Sequence, residues 1–514
     1  MNNSNEHADL DPGSEIERFD TIIIGAGLSG IGAAVRLQRE CPGREFVILE
    51  RREAIGGTWD LFRYPGVRSD SDMHTLGYDF KPWEADKAIA DGPTILSYVN
   101  DTADEYRVRE KIRFHQKLVA ADWQSDSAEW LLTVETENGQ KQYVTNFLFM
   151  CSGYYSYDQG YEPDFPGKSS FKGDWIHPQF WPKDLDYSGK RVVVIGSGAT
   201  AMTLVPNMAK TAAKVTMLQR SPTYVISGPS VDRLANWLRD KFDKHWAYNF
   251  IRWRNTLRQQ ILYNLTRVAP GMMRSMLLSK VRKEIGHIVD VEKHFTPRYN
   301  PWDERLCLVP DDDLFAAIKA GKADVVTDHI ESISETGIQL KSGETLEADL
   351  IVSATGLELV ILGGAKFTRD GRDIEFADEW TYKGMMCSNI PNMVQTFGYI
   401  NASWTLRSDL IAGWVCRLLN HMDTHGYASA TPRIPEPLAK SMPRRLWIDD
   451  FSAGYMQRVL PRFPKQGDRE PWVNPQNYRK DRKMFREDPL EDGALIFERR
   501  RVAQVDDEPL QKVS

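Results

Sequence analysis

The chain has 514 residues, of which 41% are hydrophobic and 27% charged, with a formal net charge of −7. That length supplies core for roughly two to four domains, and the acidic balance excludes a nucleic-acid binder, which needs basic groups to neutralise phosphates. The five cysteines, Cys41, Cys151, Cys307, Cys387 and Cys416, include no Cys-x-x-Cys pair; this excludes a dithiol or zinc centre and fits small buried residues in a reducing compartment.

Residues 1–18 are polar and acidic with no apolar h-region, which predicts a floppy tail and not a signal peptide. "FDTIIIGAGLSGIGAAVRLQRE" then reads as strand, glycine turn and helix. Gly25-x-Gly27-x-x-Gly30 provides a tight turn, close backbone approach to a pyrophosphate, and close helix–strand packing. Free N–H groups at the helix start face the phosphates. The next strand, "EFVILE", ends in Glu50, placed to accept from a ribose diol. Strand, turn, helix and acid in this order predict an FAD site.

"VTNFLFMCSGYY" (144–155) is an apolar strand stopping at Ser152-Gly153, the first crossing between domains. "KRVVVIGSGATAMTLVPNMAK" repeats the glycine device as Gly196-x-Gly198-x-x-Ala201. Its uncharged run, Val192–Ala209, just reaches membrane-spanning length, but Gly196, Gly198 and Pro206 favour strand–loop–helix. The second strand ends in Gln219-Arg220-Ser221 in place of an acid. Arg220 can pair with a 2′-phosphate and Ser221 can donate to it, so this site is predicted to take NADPH.

Between Val231 and Glu284 lies a basic helical insert. Leu238, Phe242, Trp246, Phe250, Trp253, Leu257 and Ile261 step by three or four, which predicts one long amphipathic helix; Lys241, Lys244, Arg252, Arg254 and Arg258 form its polar face. Such a helix can lie on an anionic membrane. The preferred reading packs it on the NADPH domain, with its apolar side shaping a substrate entrance. "LEADLIVSATGLE" (346–358) mirrors the first crossing at Ala354-Thr355-Gly356, and "NASWTLRSDLIAGWVCRLLNHM" predicts a turn into a buried helix near the flavin, with Ser403 and Trp404 as pocket candidates.

The fold class is therefore α/β: two Rossmann-type dinucleotide-binding domains, the second inserted in the first, with a helical insert. The expected division is tail 1–18, FAD domain 19–153, NADPH domain 154–228, insert 229–298, NADPH domain 299–356, FAD domain 357–500 and charged tail 501–514.

"FKGDWIHPQFWP" carries Phe171, Gly173, His177, Trp181 and Pro182 in the spacing Phe-x-Gly-x-x-x-His-x-x-x-Trp-Pro. It resembles the fingerprint of the type I Baeyer–Villiger monooxygenases; in related N- and S-oxygenating flavin monooxygenases the position of Pro182 is usually aspartate. "GGTWDLFRYPGVRSD" is similar to the family's longer fingerprint, from Gly56 and Trp59 through Tyr64-Pro65-Gly66 to Asp70. "HFTPRYNPWDERLCLVPDDDLF", "TYKGMMCSNIPNM" and "GYINASWTLRSDL" resemble the ethionamide-activating subgroup, which oxidises linear and aromatic methyl ketones and oxygenates thioamide or thioether sulfur.

The resemblance implies non-covalent FAD, NADPH and O2, with ketones converted to esters through a C4a-peroxyflavin stabilised by Arg305. Arginine suits that role because it cannot lose its proton. Asp70 is implied as its partner, and the resemblance outweighs the local reading of it as a turn or N-cap residue in "RSDSDM". FAD contacts are implied at Ser29, Glu50, Thr58, Trp59, Asp70 and, through its backbone, Leu118. NADP contacts are implied at Arg68 and Ser69, at Ser197, Gly198, Ala199, Thr200, Ala201, Met202 and Thr203, and at Arg220 and Ser221. Many relatives have a lysine where this chain has Glu304, so coenzyme preference would rest mainly on Arg220. His177, a lone histidine among aromatic rings, is expected to be a hydrogen-bonded strut that couples the domains. The resemblance further implies a small ketone or organosulfur substrate, with N- or S-oxygenation as the alternative activity; the cysteine usage places the enzyme in the cytoplasm, and the basic insert allows a peripheral membrane contact.

Overall fold

The computed structural model describes residues 16–304 and 306–500. The tail 501–514, most of the tail 1–18 and the side chain assigned the central catalytic role, Arg305, lie outside the described residues. The first strand begins two residues before its expected start: Glu17–Ile24 pairs from Glu17 onward, with Glu17 opposite Tyr143 and Arg18 opposite Val144.

Strands Ile112–Arg113, Phe46–Leu49, Glu17–Ile24 and Gly139–Met150 run parallel side by side, as the β-branched runs and glycine turn require. Gly139–Met150 also pairs antiparallel with Glu129–Thr136, which extends the sheet through Lys117–Gln124. The chain leaves this nine-stranded sheet after Met150. It returns with Lys366–Arg369 beside Lys117–Gln124, and with Met393–Gln395 beside Gly139–Met150.

Every strand of a second, five-stranded sheet falls between those two points. Its order is Ala323–Thr327, Lys214–Gln219, Arg191–Ile195, Leu350–Ser353 and Asp174–Ile176, all parallel. The central strands "RVVVI" and "LIVS" are buried on both faces, which explains their unbroken apolar runs. Val192–Ala209 is a strand, a turn and the helix Ala199–Met208. No helix among the described residues is long and apolar enough to cross a membrane.

At the crossings, Gly153 has φ +67° and Gly356 φ +118°, conformations that glycine adopts without strain. The short strands that follow them, Tyr155–Gly160 and Leu357–Leu359, pair with each other antiparallel. The two connections between the units thus form one ribbon.

The insert departs from expectation in three ways. The apolar stripe is split between two helices, Arg233–Lys241 and Lys244–Val268, because Asp243 caps the second by accepting from the Trp246 N–H. The longer helix packs on the first unit and reaches the second only near its end: the Tyr248 hydroxyl donates to the Tyr78 carbonyl at 2.9 Å, the Asn255 side chain to Asp72 at 2.8 Å, and Arg267 to Asp303 at 2.7 Å. The apolar stripe also faces outward, although Lys241, Lys244 and Arg258 stay exposed as expected. Arg252, expected on the solvated face, is buried, whereas Trp246, Phe250, Trp253, Leu257 and Ile261 are exposed. The following helix, Pro270–Ile285, does reach the second unit, through Val281 and Ile285.

Candidate functional site

Both glycine turns open onto one cavity of about 940 Å³ between the two sheets. It meets the carboxyl ends of Glu17–Ile24 and Arg191–Ile195, where α/β sheets bind ligands. Gly25, Gly27, Ser29, Glu50, Thr58, Trp59 and Leu118 line its first side. Gly196, Ser197, Gly198, Ala199, Thr200, Arg220 and Ser221 line its second, and Arg68, Ser69 and Asp70 also reach it. The cap of the short helix Met73–Leu76 is Asp72, which accepts from the Thr75 N–H.

Gly30 does not line this cavity. A Cβ there would overlap the Gly25 carbonyl oxygen, so its lack of a side chain lets the helix Leu28–Glu40 lie on the turn. Ala201, Met202 and Thr203, expected at NADP, are turned into the second unit's interior and do not line the cavity. Ser403 is likewise buried, hydrogen-bonded to Thr75 at 2.6 Å. Trp404 does line the cavity, and its Nε1–H donates to Ser29 Oγ at 2.7 Å.

The cavity walls suit two dinucleotides. Helices Leu28–Glu40 and Ala199–Met208 both start from a glycine with no side-chain cap, so their first N–H groups remain available to phosphate. Nothing stands within 4 Å of where a Gly198 Cβ would lie, and a Cβ on Gly27 would meet Gly57 at 3.5 Å. Arg68 pairs with Asp313 through Nη1 at 2.5 Å, while its buried Nε and Nη2 find no protein acceptor. A buried guanidinium with two spare donors fits an anionic ligand. Glu50 accepts from the Ala26 N–H at 2.7 Å and the Arg52 N–H at 2.9 Å; burial pushes its pKa up, against the pull of those bonds and of Arg52.

At the second strand end, Glu304 faces Arg220 across the cavity wall. Burial raises the Glu304 pKa, and the Arg220 charge opposes the rise. Tyr64 of the long fingerprint reaches Thr200, and burial pushes its hydroxyl up to about 12. Its neighbour Gly66, at φ +76°, lies where a side chain would strike Asn207 of the helix Ala199–Met208. The long fingerprint therefore spans from one unit to the other.

The shorter fingerprint is outside the cavity. His177 Nδ1 accepts from the Gln179 N–H at 3.3 Å, which leaves Nε2 to donate to the Gly356 carbonyl at 3.1 Å. The ring fills the space that a side chain on Gly160 would need. His177 thus touches the crossing ribbon at Gly160 of its first strand and at Gly356, just before its second. A side chain on Gly173 would meet the Asp349 carbonyl at 2.5 Å beside the strand pair Asp174–Ile176 and Leu350–Ser353. Trp181 packs edge-on to Tyr187, and Phe171 edge-on to Trp175. Pro182 accepts from the Leu185 N–H at 3.5 Å.

Burial lowers the His177 pKa below its ordinary 6.5. The stability it confers is therefore complete above 6.5 and is lost as pH falls through that value toward the lower folded pKa. Urea unfolding of the wild type should weaken between about pH 7 and 5 more steeply than that of His177→Gln; parallel curves would assign the slope to other groups.

Sequence reasoning named Trp404 but missed the rest of the aromatic wall. Tyr154 stacks on Trp404 with ring centroids 5.3 Å apart and meets Phe397 at 5.0 Å, while Tyr399 and Tyr455 complete the lining. Tyr157, also lining, carries Arg51 and Arg52 over its ring at 5.2 and 5.6 Å. The tyrosine-rich run "YYSYDQGY" after the first crossing was the available signal.

Two glycine turns facing one cavity define a two-dinucleotide enzyme fold of the flavoprotein kind. A family model described as flavin-binding monooxygenase-like matches residues 20–424, and the chain belongs to that family. It is 50% identical to the FAD-containing monooxygenase EthA of Mycolicibacterium smegmatis, over 95% of this chain and 98% of that one. It is 49% identical to the probable FAD-binding monooxygenase AlmA of Acinetobacter baylyi, over 94% and 97% respectively. Among solved structures, an oxidized steroid monooxygenase bound to NADP superposes with a TM-score of 0.76 at 23% identity, covering 94% of this chain and 100% of that one. An open cyclohexanone monooxygenase gives 0.73 at 20%, again covering 94% and 100%. The two-domain Rossmann-type fold is thus shared with Baeyer–Villiger monooxygenases.

Proposed function

We propose that the chain is an NADPH- and O2-dependent Baeyer–Villiger monooxygenase that converts ketones, linear or aromatic methyl ketones among them, to esters, with S-oxygenation as a side activity. The observation that carries this reading is the single cavity onto which both glycine turns and Asp70 open. The 50% identity to a monooxygenase named as FAD-containing supports it. In this reading the enzyme works in the cytoplasm.

FAD would lie along Gly25, Gly27, Ser29, Glu50, Thr58, Trp59 and Leu118, and NADPH along Gly196–Thr200, Arg68, Ser69, Arg220 and Ser221. When bound, the flavin supplies the redox chemistry and the activation of O2. The protein's part is placement and charge. Glu50 fixes the first turn through the Ala26 N–H and presents its carboxylate to a ribose. The stacked Tyr154 and Trp404 exclude water from an apolar pocket. Arg305, with Asp70 to orient it, supplies a permanent positive charge for the oxygen being transferred. Of the fingerprint residues, His177 acts at a distance by holding the crossing ribbon, while Phe171, Gly173, Trp181 and Pro182 pack within the second unit beside it.

The test is product analysis. FAD-loaded protein with NADPH receives a linear methyl ketone in one reaction and an aryl methyl thioether in another. Ester from the ketone is the expected result; sulfoxide without any ester would make the enzyme an N/S-oxygenating flavin monooxygenase. Coenzyme choice gives a separate check. Arg220→Ala is expected to narrow the NADPH-over-NADH ratio of kcat/KM by about tenfold or more, and Glu304→Lys to widen it. An unchanged ratio in both would place recognition of the 2′-phosphate elsewhere.

A further inference from the structure

The helical insert turns its most apolar face to solvent. Along Lys244–Val268, Trp246, Phe250, Trp253, Leu257, Ile261 and Leu265 share one face and are between 37% and 58% exposed. The stripe extends back to Trp237 and Phe242 and forward to Val268, Met272 and Met276, all exposed. At about 1.5 Å per residue the long helix alone spans roughly 37 Å. A monomer rarely shows so long a contiguous apolar face without a partner for it.

The outward orientation is imposed by polar groups. Arg252 is buried on the opposite side, where its guanidinium donates to the carbonyls of His74 at 3.0 Å, Thr75 at 3.2 Å and Gly77 at 2.7 Å and pairs with Asp409 at 3.0 Å. Rolling the helix to hide its tryptophans would strand that charge without partners, a cost of several kcal/mol.

Charge indicates the occupant. From Arg233 to Met276 the chain has nine Lys and Arg against two Asp and Glu, within a molecule of net charge −7. Arg258 follows Leu257, about 100° around the helix, and so borders the stripe. It and Lys241 are exposed and belong to no ion pair among the described residues. A second copy of the chain would bring one cationic border against another. An anionic lipid surface complements both the stripe and its border.

We propose that this face binds the anionic surface of a phospholipid bilayer, with Trp246, Phe250, Trp253 and Ile261 entering the headgroup–acyl boundary and Lys241 and Arg258 meeting lipid phosphates. The inner end of the helix bears on the cavity mouth. Arg267 pairs with Asp303 at 2.7 Å, and Tyr263 donates to Asp450 at 3.2 Å; Asp303 adjoins Glu304, and Asp450 lies three residues before Ala453, both on the cavity wall. Delivery of greasy substrates from the bilayer rests on the proposed function; membrane binding does not.

The experiment is flotation of full-length, FAD-loaded protein with phosphatidylcholine vesicles, with and without phosphatidylglycerol. Binding is expected only when phosphatidylglycerol is present, and it should weaken with salt. Trp253→Glu and Ile261→Glu, both exposed, should each lower the partition coefficient by about tenfold while flavin content stays at the wild-type level. Lys241→Glu with Arg258→Glu should do the same. Absence of binding, equal binding to both vesicle types, or binding unchanged in Trp253→Glu overturns the proposal. A lipid-free dimer that Trp253→Glu dissociates, with no vesicle binding, would make the stripe a self-interface.

Discussion

Arg305→Ala is expected to abolish ester formation from ketones while flavin content and NADPH oxidation persist. Its neighbours along the chain, Glu304 and Cys307, both line the cavity, as does Asp70. The role requires a charge that survives in a dry site, and only arginine keeps its proton there. Removing one preorganised donor from a developing oxyanion typically costs about 100- to 1000-fold. Ester yield should fall at least that far, and NADPH consumption should uncouple into hydrogen peroxide. Arg305→Lys tests the guanidinium separately, since lysine retains the charge but lacks the planar fork of donors. Undiminished ketone oxidation by Arg305→Ala would remove this residue from the reaction.

Gly30→Ala is expected to yield protein with little or no FAD. The added methyl would overlap the Gly25 carbonyl oxygen, and the obstacle is backbone, which cannot rotate aside. To make room, the helix Leu28–Glu40 must lift from the turn, carrying away the N–H groups that receive the pyrophosphate. Overpacking of this kind costs about 1–3 kcal/mol before the loss of cofactor is counted. The flavin-to-protein absorbance ratio should drop about tenfold or more. The second unit supplies the control: it carries Ala201 at the equivalent position, fully buried, so its helix already stands off far enough for a methyl. Ala201→Gly should leave the KM for NADPH within about twofold. Normal flavin content in Gly30→Ala would show that the first helix can stand off as the second does.

The comparison of Gly30 with Ala201 also marks what sequence could reveal. Glycine turns, the acid or arginine that ends the neighbouring strand, and the small-residue crossings are local patterns imposed by local geometry, and each was legible. Helical spacing located the insert's stripe equally well, but a period gives no direction. Both sides of Lys244–Val268 bury or expose apolar atoms, and the choice was made by Arg252, whose four acceptors lie near residues 74–77 and at Asp409. No local rule reports contacts that far apart. Apart from Trp404, the aromatic wall escaped for the same reason, since Tyr154 and Phe397 come from separate segments that share no spacing with it. Asp70 and Asp72, two residues apart, offered the same capping chemistry, and only the three-dimensional path of the loop separates them.

The insertion of one sheet inside the other sets an order of birth on the ribosome. All five strands between Asp174 and Ser353 emerge before Lys366–Arg369 and Met393–Gln395 exist. The inner unit can close while the outer one still waits for the last partners of Gly139–Met150 and Lys117–Gln124. Domains generally fold as units as they are synthesised, and strand edges left open meanwhile invite aggregation. Here a finished inner unit would hold the first and last thirds of the chain at its crossing ribbon, turning a search across more than two hundred residues into a short one. A nascent chain stalled before Lys366 should therefore protect Arg191–Ile195 from proteases earlier than it protects Gly139–Met150.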